Sequence, residues 1–171
     1  MQILIYVDDI LLTGNSTIEL TRLLSNLHER FQMRNLGSLA HFLGIEAATT
    51  YYGTLLHQHQ YANLILERAE MQNIKLASTP ISYKPVLTPI SENKFSNPQL
   101  YWHLIKSLQY LTLTLPDIQF AVHQLSQHMA NPLNSNFDTL KRILRYIQGT
   151  INIKIPLYKD DLTLQGFVDT D

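Results

Sequence analysis

The chain opens with short apolar runs set around polar pairs and then changes to longer helical periodicities. Ile3-Leu4-Ile5 and Ile10-Leu11-Leu12 flank Tyr6-Val7-Asp8-Asp9, and Thr13-Gly14-Asn15 closes the stretch with turn-forming residues. Such a pattern predicts a buried β-hairpin with Asp8 and Asp9 at or near its tip. Ser16-Thr17-Ile18-Glu19 then reads as a capping box, with Ser16 as N-cap and Glu19 three residues on. Leu20, Leu23, Leu24, Leu27 and Phe31 follow at helical spacing, which predicts an amphipathic helix to about Gln32, ended by Leu36-Gly37.

Further on, Phe42-Leu43-Gly44-Ile45 and Thr54-Leu55-Leu56 flank Tyr51-Tyr52-Gly53, a second hairpin with Gly53 in its turn. Gly44 inside a strand pattern predicts a bulge or a close backbone approach. A helix is expected over 58–71, with Tyr61, Leu64, Ile65 and Ala69 on its apolar side. Residues 77–98 read as an extended linker, because Pro80, Pro85, Pro89 and Pro98 interrupt it. Three helices are expected beyond it: 100–115, one opened by Pro116 with Ile118, Val122, Leu125 and Met129 in register, and 136–148 stopped by Gly149. Strand-like stretches over 151–157 and 162–168 complete the pattern. Its fold class is α+β, mostly helical.

Composition changes this picture only at the margins. A chain of 171 residues with 45% hydrophobic and 16% charged residues can bury a real core. A net charge of -1 provides no global attraction to nucleic acid, so any such binding requires a local patch. The absence of cysteine excludes disulfides and thiolate metal sites. The opening apolar run is too short to span a membrane and acidic residues interrupt it, so no signal peptide or transmembrane segment is expected, and an intracellular setting follows. A strand at each extreme of the sequence suggests a piece of something larger, whose apolar hairpin would self-associate when isolated.

Three sets of residues carry candidate chemistry. Asp8 and Asp9 are adjacent carboxylates, which repel and resist desolvation unless a cation lies on them. Paired carboxylates on a hairpin tip suit a divalent cation such as Mg²⁺, which prefers oxygen ligands. A solvated acidic turn is the other reading. Lys141, Arg142 and Arg145 line one face of the last helix and form either a nucleic-acid-binding stripe or a solvated helix face. Asp169 and Asp171 share one strand face and could hold a cation or end the sequence as polar residues. The seven histidines are scattered. His57 and His59 share a strand face without a third ligand, and His123 and His128 do not converge, so a zinc site is not expected.

The ordered motifs narrow the reading. YVDD between apolar runs, followed by LLTG, resembles the catalytic hairpin of reverse transcriptases. FQMRNLGSLAHFLGIE, LASTPI, SLQYLT, PDIQFAV and FDTLKRILRYIQGT resemble successive blocks of the Ty1/copia class of retrotransposon Pol polyproteins, in the same order and at similar spacing. GFVDTD resembles the start of that family's ribonuclease H domain, and the opening methionine before the hairpin resembles short retrotransposon-derived reading frames of plant genomes.

The resemblance implies an RNA-directed DNA polymerase in which palm aspartates hold two Mg²⁺ ions on an RNA or DNA template-primer. On matching positions Asp8 and Asp9 are catalytic and metal-binding. Tyr6 and Val7 lie where the primer end and nucleotide pack, and Phe42, Leu43 and Gly44 lie where the primer is positioned. Asp169 matches the first metal-binding aspartate of ribonuclease H. The implied organisation is a palm end over 1–76, a linker over 77–98, a helical thumb or connection region over 99–160 and the start of ribonuclease H over 161–171. A cytoplasmic particle, the nucleus or a plant organelle would house it.

The family's other palm aspartate lies upstream of the hairpin, and the seven residues before Asp8 do not include it. The remaining ribonuclease H acids would likewise lie past Asp171. Catalytic inactivity of the isolated chain is therefore expected, with a non-catalytic nucleic-acid-binding remnant as the alternative. A third reading, a metal-dependent phosphoesterase, would need Asp8, Asp9 and Asp169 to meet in space. Trp102, Lys106, Leu115 and Lys154 depart from the arginine, glycine, arginine and glycine usual in the family, as a decaying copy would.

Overall fold

The computed structural model describes residues 1–82 and 93–158, together with Gly166. Two antiparallel sheets and five α-helices occur among them. β1 (Gln2–Tyr6) and β2 (Asp9–Thr13) form a two-stranded sheet, and α1 (Thr17–Arg30) follows. A second sheet has the order β3-β4-β5-β6, built from β3 (His41–Phe42), β4 (Ile45–Thr50), β5 (Gly53–His57) and, from far along the chain, β6 (Ile155–Tyr158). The other helices are α2 (His59–Arg68), α3 (Pro98–Leu111), α4 (Gln119–Ser126) and α5 (Asn134–Thr150), with a 3-10 turn at Pro116–Ile118.

Local chemistry explains most starts. The Ser16 hydroxyl accepts from the Glu19 N–H at 3.3 Å, which satisfies one free donor of α1. Asn97 does the same for the Leu100 N–H at 3.0 Å, with Pro98 in the first turn of α3. At α5 the Asn136 side chain accepts from the Leu133 N–H at 2.8 Å. α5 extends through Gly149 to Thr150 instead of stopping there, and Pro116 opens a 3-10 turn, with α4 beginning only at Gln119.

One core holds the helices together. Ile65 of α2, Leu104, Ile105 and Leu108 of α3, Val122 of α4 and Leu140, Leu144 and Ile147 of α5 are all within 1% of complete burial. Residues from both sides of 77–98 therefore share a core. Tyr101 is inside it with its hydroxyl donating to the Leu125 carbonyl at 2.8 Å, and burial pushes its pKa up to about 12.

The opening region differs. No residue before Gly53 is buried: in the hairpin expected to be buried, β1 is exposed throughout, with Ile5 65% accessible and Val7 of the turn 81%, and Ile10, Leu11 and Leu12 of β2 are only half-buried. A two-stranded hairpin has only one partner strand, so its two faces stay open unless other elements cover them. The four-stranded sheet is better protected, because its outer strand β6 carries Pro156, which cannot donate to a further strand. Gly53 opens β5 instead of sitting in the Tyr51-Tyr52 turn. Any Cβ there would overlap the Leu157 carbonyl, so β6 can pair only because this position is glycine.

Candidate polymerase hairpin and its surroundings

The hairpin tip is built from a two-residue turn. Tyr6 pairs with Asp9, which leaves Val7 and Asp8 as the turn residues. Val7 has φ 49, a left-handed conformation that β-branched side chains rarely take. Strain of this kind costs about 1–3 kcal/mol and concentrates at functional sites. Asp8 therefore lies in the turn and Asp9 at the first position of β2, which gives the bend that adjacent carboxylates need before they can serve one ligand. Both are exposed, and among the described residues neither has an ion-pair partner.

Phe42, Leu43 and Gly44, expected in a strand with a bulge or a close backbone approach at Gly44, form a strand end and a tight turn that a side chain approaches closely. Phe42 pairs with Ile45, and Leu43 and Gly44 make the turn between β3 and β4 with φ 53 and φ 75. Two consecutive positive φ angles are the requirement of the tight hairpin turn whose twist matches the flanking strands. Tyr110 of α3 donates its hydroxyl to the Leu43 carbonyl, and its ring passes 3.8 Å from where a Gly44 Cβ would lie. The Tyr110 ring also meets Tyr61 edge-on at 5.3 Å between centroids. Burial raises the Tyr110 pKa, and the neighbouring Tyr61 and Tyr6 hydroxyls add to the effect.

The basic stripe of α5 is engaged within the chain. The Arg142 Nη2 donates to the Thr79 hydroxyl at 2.8 Å and the Arg145 Nε to the Lys75 carbonyl at 2.6 Å. The Ala77 N–H closes the same contact on the Arg145 carbonyl at 3.3 Å. Lys141 pairs with Asp138 at 3.0 Å and lies 4.9 Å from the Phe137 ring centre. The two arginines thus tie residues 75–79 to α5, a role that helix periodicity could not reveal. Next to them Tyr146 donates to Asp117, and this hydrogen bond, then burial and the carboxylate's charge, pushes its pKa up to about 12.

His57 and His59 do not share a strand face: His57 ends β5 and His59 begins α2. The His57 Nδ1 is 3.5 Å from Glu46 across the sheet. No group of three His, Asp or Glu side chains able to hold a metal ion occurs among the described residues. Asp169 and Asp171 lie outside the described residues, as does the strand expected at 162–168 apart from Gly166. Nor is any helix among the described residues long and apolar enough to cross a membrane. Two of the departures from the family pattern meet: the Lys106 ammonium lies 3.7 Å from the Trp102 ring centre, one turn away on α3. Leu115 fills a buried position, only 6% exposed.

Residues 1–83 match the family described as reverse transcriptase (RNA-dependent DNA polymerase). An uncharacterized mitochondrial protein of Arabidopsis thaliana is 42% identical over 172 residues, covering 100% of this chain and 71% of the relative. The retrovirus-related Pol polyprotein from transposon RE1 of the same plant is 43% identical over 169 residues, 98% of this chain and 12% of the polyprotein. That from transposon TNT 1-94 of Nicotiana tabacum is 32% identical over 178 residues, 99% of this chain and 13% of the polyprotein. No solved structure gives a significant match. The chain belongs to the reverse transcriptase family, among the Ty1/copia-type retrotransposon Pol polyproteins. It spans about an eighth of those polyproteins, at 12–13% of their length.

Proposed function

We propose that this chain is the segment of a Ty1/copia-type reverse transcriptase that carries the catalytic hairpin, and that Asp8 and Asp9 serve RNA-directed DNA synthesis. The carrying observation is the exposed tip, where two adjacent carboxylates with no ion-pair partner among the described residues follow a left-handed valine. Their donor chemistry fits Mg²⁺: hard, anionic oxygens on a solvent-facing turn. In such sites bound Mg²⁺ activates the primer hydroxyl and neutralises the triphosphate. Asp8 and Asp9 contribute the negative charge that draws it to the tip. Tyr6 and Val7 lie against the primer end and nucleotide, and Phe42, Leu43 and Gly44 border the primer strand.

In this reading residues 1–76 are the palm end, 77–98 a linker, 99–160 the thumb or connection, and 161–171 the start of ribonuclease H with Asp169 as a metal ligand. The partner is a template-primer of RNA or DNA. The chain alone is inactive, because two carboxylates are an incomplete donor set and electrostatic preorganisation is usually the largest catalytic contribution. Mg²⁺-dependent primer extension tests both parts. The purified chain is expected to give no extension. When it is supplemented with the upstream Pol segment, extension should appear and be lost in Asp8→Asn. Extension by the chain alone, abolished in Asp8→Asn, would overturn the inactivity. Supplemented extension that survives Asp8→Asn would overturn the catalytic assignment.

A further inference from the structure

β1 is a sheet edge without the usual defences. It pairs with β2 on one side, and among the described residues nothing pairs with its other side. Natural edge strands are blunted by charge, proline, a bulge, extreme shortness or a covering element. Gln2–Tyr6 has no charged residue and no proline, its register with β2 runs unbroken from Gln2 to Tyr6, and every residue in it is exposed. Ile3 and Ile5 lie on one face and Leu4 on the other, so both faces are apolar. The other edges are defended. β6 carries Pro156, β3 is only 2 residues long, and β2 opens on Asp9 with Ile10, Leu11 and Leu12 half-buried. Among the described residues, the edge that matches β1 is therefore β1 of another molecule.

We propose that two copies of this chain pair antiparallel through β1, forming a sheet of order β2-β1-β1-β2 about a two-fold axis at Leu4. In the register that pairs the whole strand, Leu4 faces Leu4 of the second copy and Ile3 faces Ile5, a self-complementary contact with no charge in it. Electrostatics selects the antiparallel arrangement. It sends the two Asp8-Asp9 tips to opposite ends of the sheet, more than about 14 Å apart. That exceeds the Debye length of about 10 Å in ordinary salt. Parallel pairing would instead set four carboxylates side by side, about 5–10 Å apart. One short strand from each copy is a small contact, so the dimer is weak and concentration-dependent. None of this rests on the polymerase reading.

The test uses the full chain, which contains no cysteine, so an introduced thiol has no competitor. Under a mild oxidant Leu4→Cys should give a disulfide dimer, because directly opposed positions lie about 4.5–5.5 Å apart, within bridging distance. Gln2→Cys should not, because in the same register its two copies are about 14 Å apart. Should Leu4→Cys fail to fold, Ile3→Cys mixed with Ile5→Cys replaces it, and the mixed disulfide should form faster than either variant's own. Sedimentation equilibrium of the unmodified chain should show a mass that rises with concentration towards the dimer. Leu4→Lys should weaken that dimer at least about tenfold by setting like charges face to face. Ile18→Lys, at a still more exposed apolar site on α1, should leave it unchanged. Equal cross-linking of Gln2→Cys and Leu4→Cys, undiminished association of Leu4→Lys, or an unmodified chain that stays monomeric would each overturn the proposal.

Discussion

The molecule contains two regions built by different rules. Residues 53–158, as far as they are described, bury a helical core in which whole side chains are removed from water. Residues 1–52 contain the aspartate pair, a capped helix and a strained turn, and hold no fully buried side chain. Regular hydrogen bonding and good caps therefore suffice to shape an element but not to cover it. The region with the candidate chemistry depends on contacts made elsewhere, and Tyr110 is the clearest of these.

The largest test of this contrast is a pair of truncations. Leu108→Ala, in the middle of the core, should cost about 2–5 kcal/mol of unfolding free energy. Ile5→Ala, in the hairpin, should cost no more than about 0.5 kcal/mol, as at other exposed sites. Urea titration of both variants measures the difference, and equal losses would abolish the distinction. Next in size is Gly53→Ala. The added methyl group would overlap the Leu157 carbonyl, so β6 should detach at a cost of more than about 1 kcal/mol, read as lost amide protection at 155–158. Retained protection would show that the backbone yields.

The smallest effect is a pH dependence. Tyr146 has a folded pKa of about 12 against 10.0 for the free side chain, chiefly because it donates to Asp117. The neutral form is favoured by folding, so this contribution is complete below pH 10.0 and is lost as pH rises towards about 12. Tyr146→Phe should flatten the alkaline fall in stability over that window. An unchanged alkaline slope would mean that the hydrogen bond does not hold in solution.

Legibility in the sequence followed the range of the interaction. The Ser16 cap and the Asn97-Pro98 start depend on residues within one turn, and the first was readable before any fold was known. The apolar side at Ile118, Val122 and Leu125 was readable too, since helical period reports which side is buried. What escaped was nonlocal. Gly53 looked like a turn residue because its reason, β6, lies a hundred residues away. Arg142 and Arg145 looked like a free basic stripe because their acceptors belong to residues 75 and 79. The Leu43-Gly44 turn was missed because a leucine with positive φ carries no sequence signal. YVDD was legible as a motif, whereas the exposure of its hairpin was not: two apolar runs state that cover is needed, not whether it is present.

Native-state hydrogen exchange tests the central contrast most directly. Amides of β1 and β2 should exchange through local opening, at free energies far below those of α3 and α5, whose slowest amides should report global unfolding. Hairpin amides that exchange with the same free energy as α3 and α5 would contradict the account, because the hairpin would then belong to the same cooperative unit as the core.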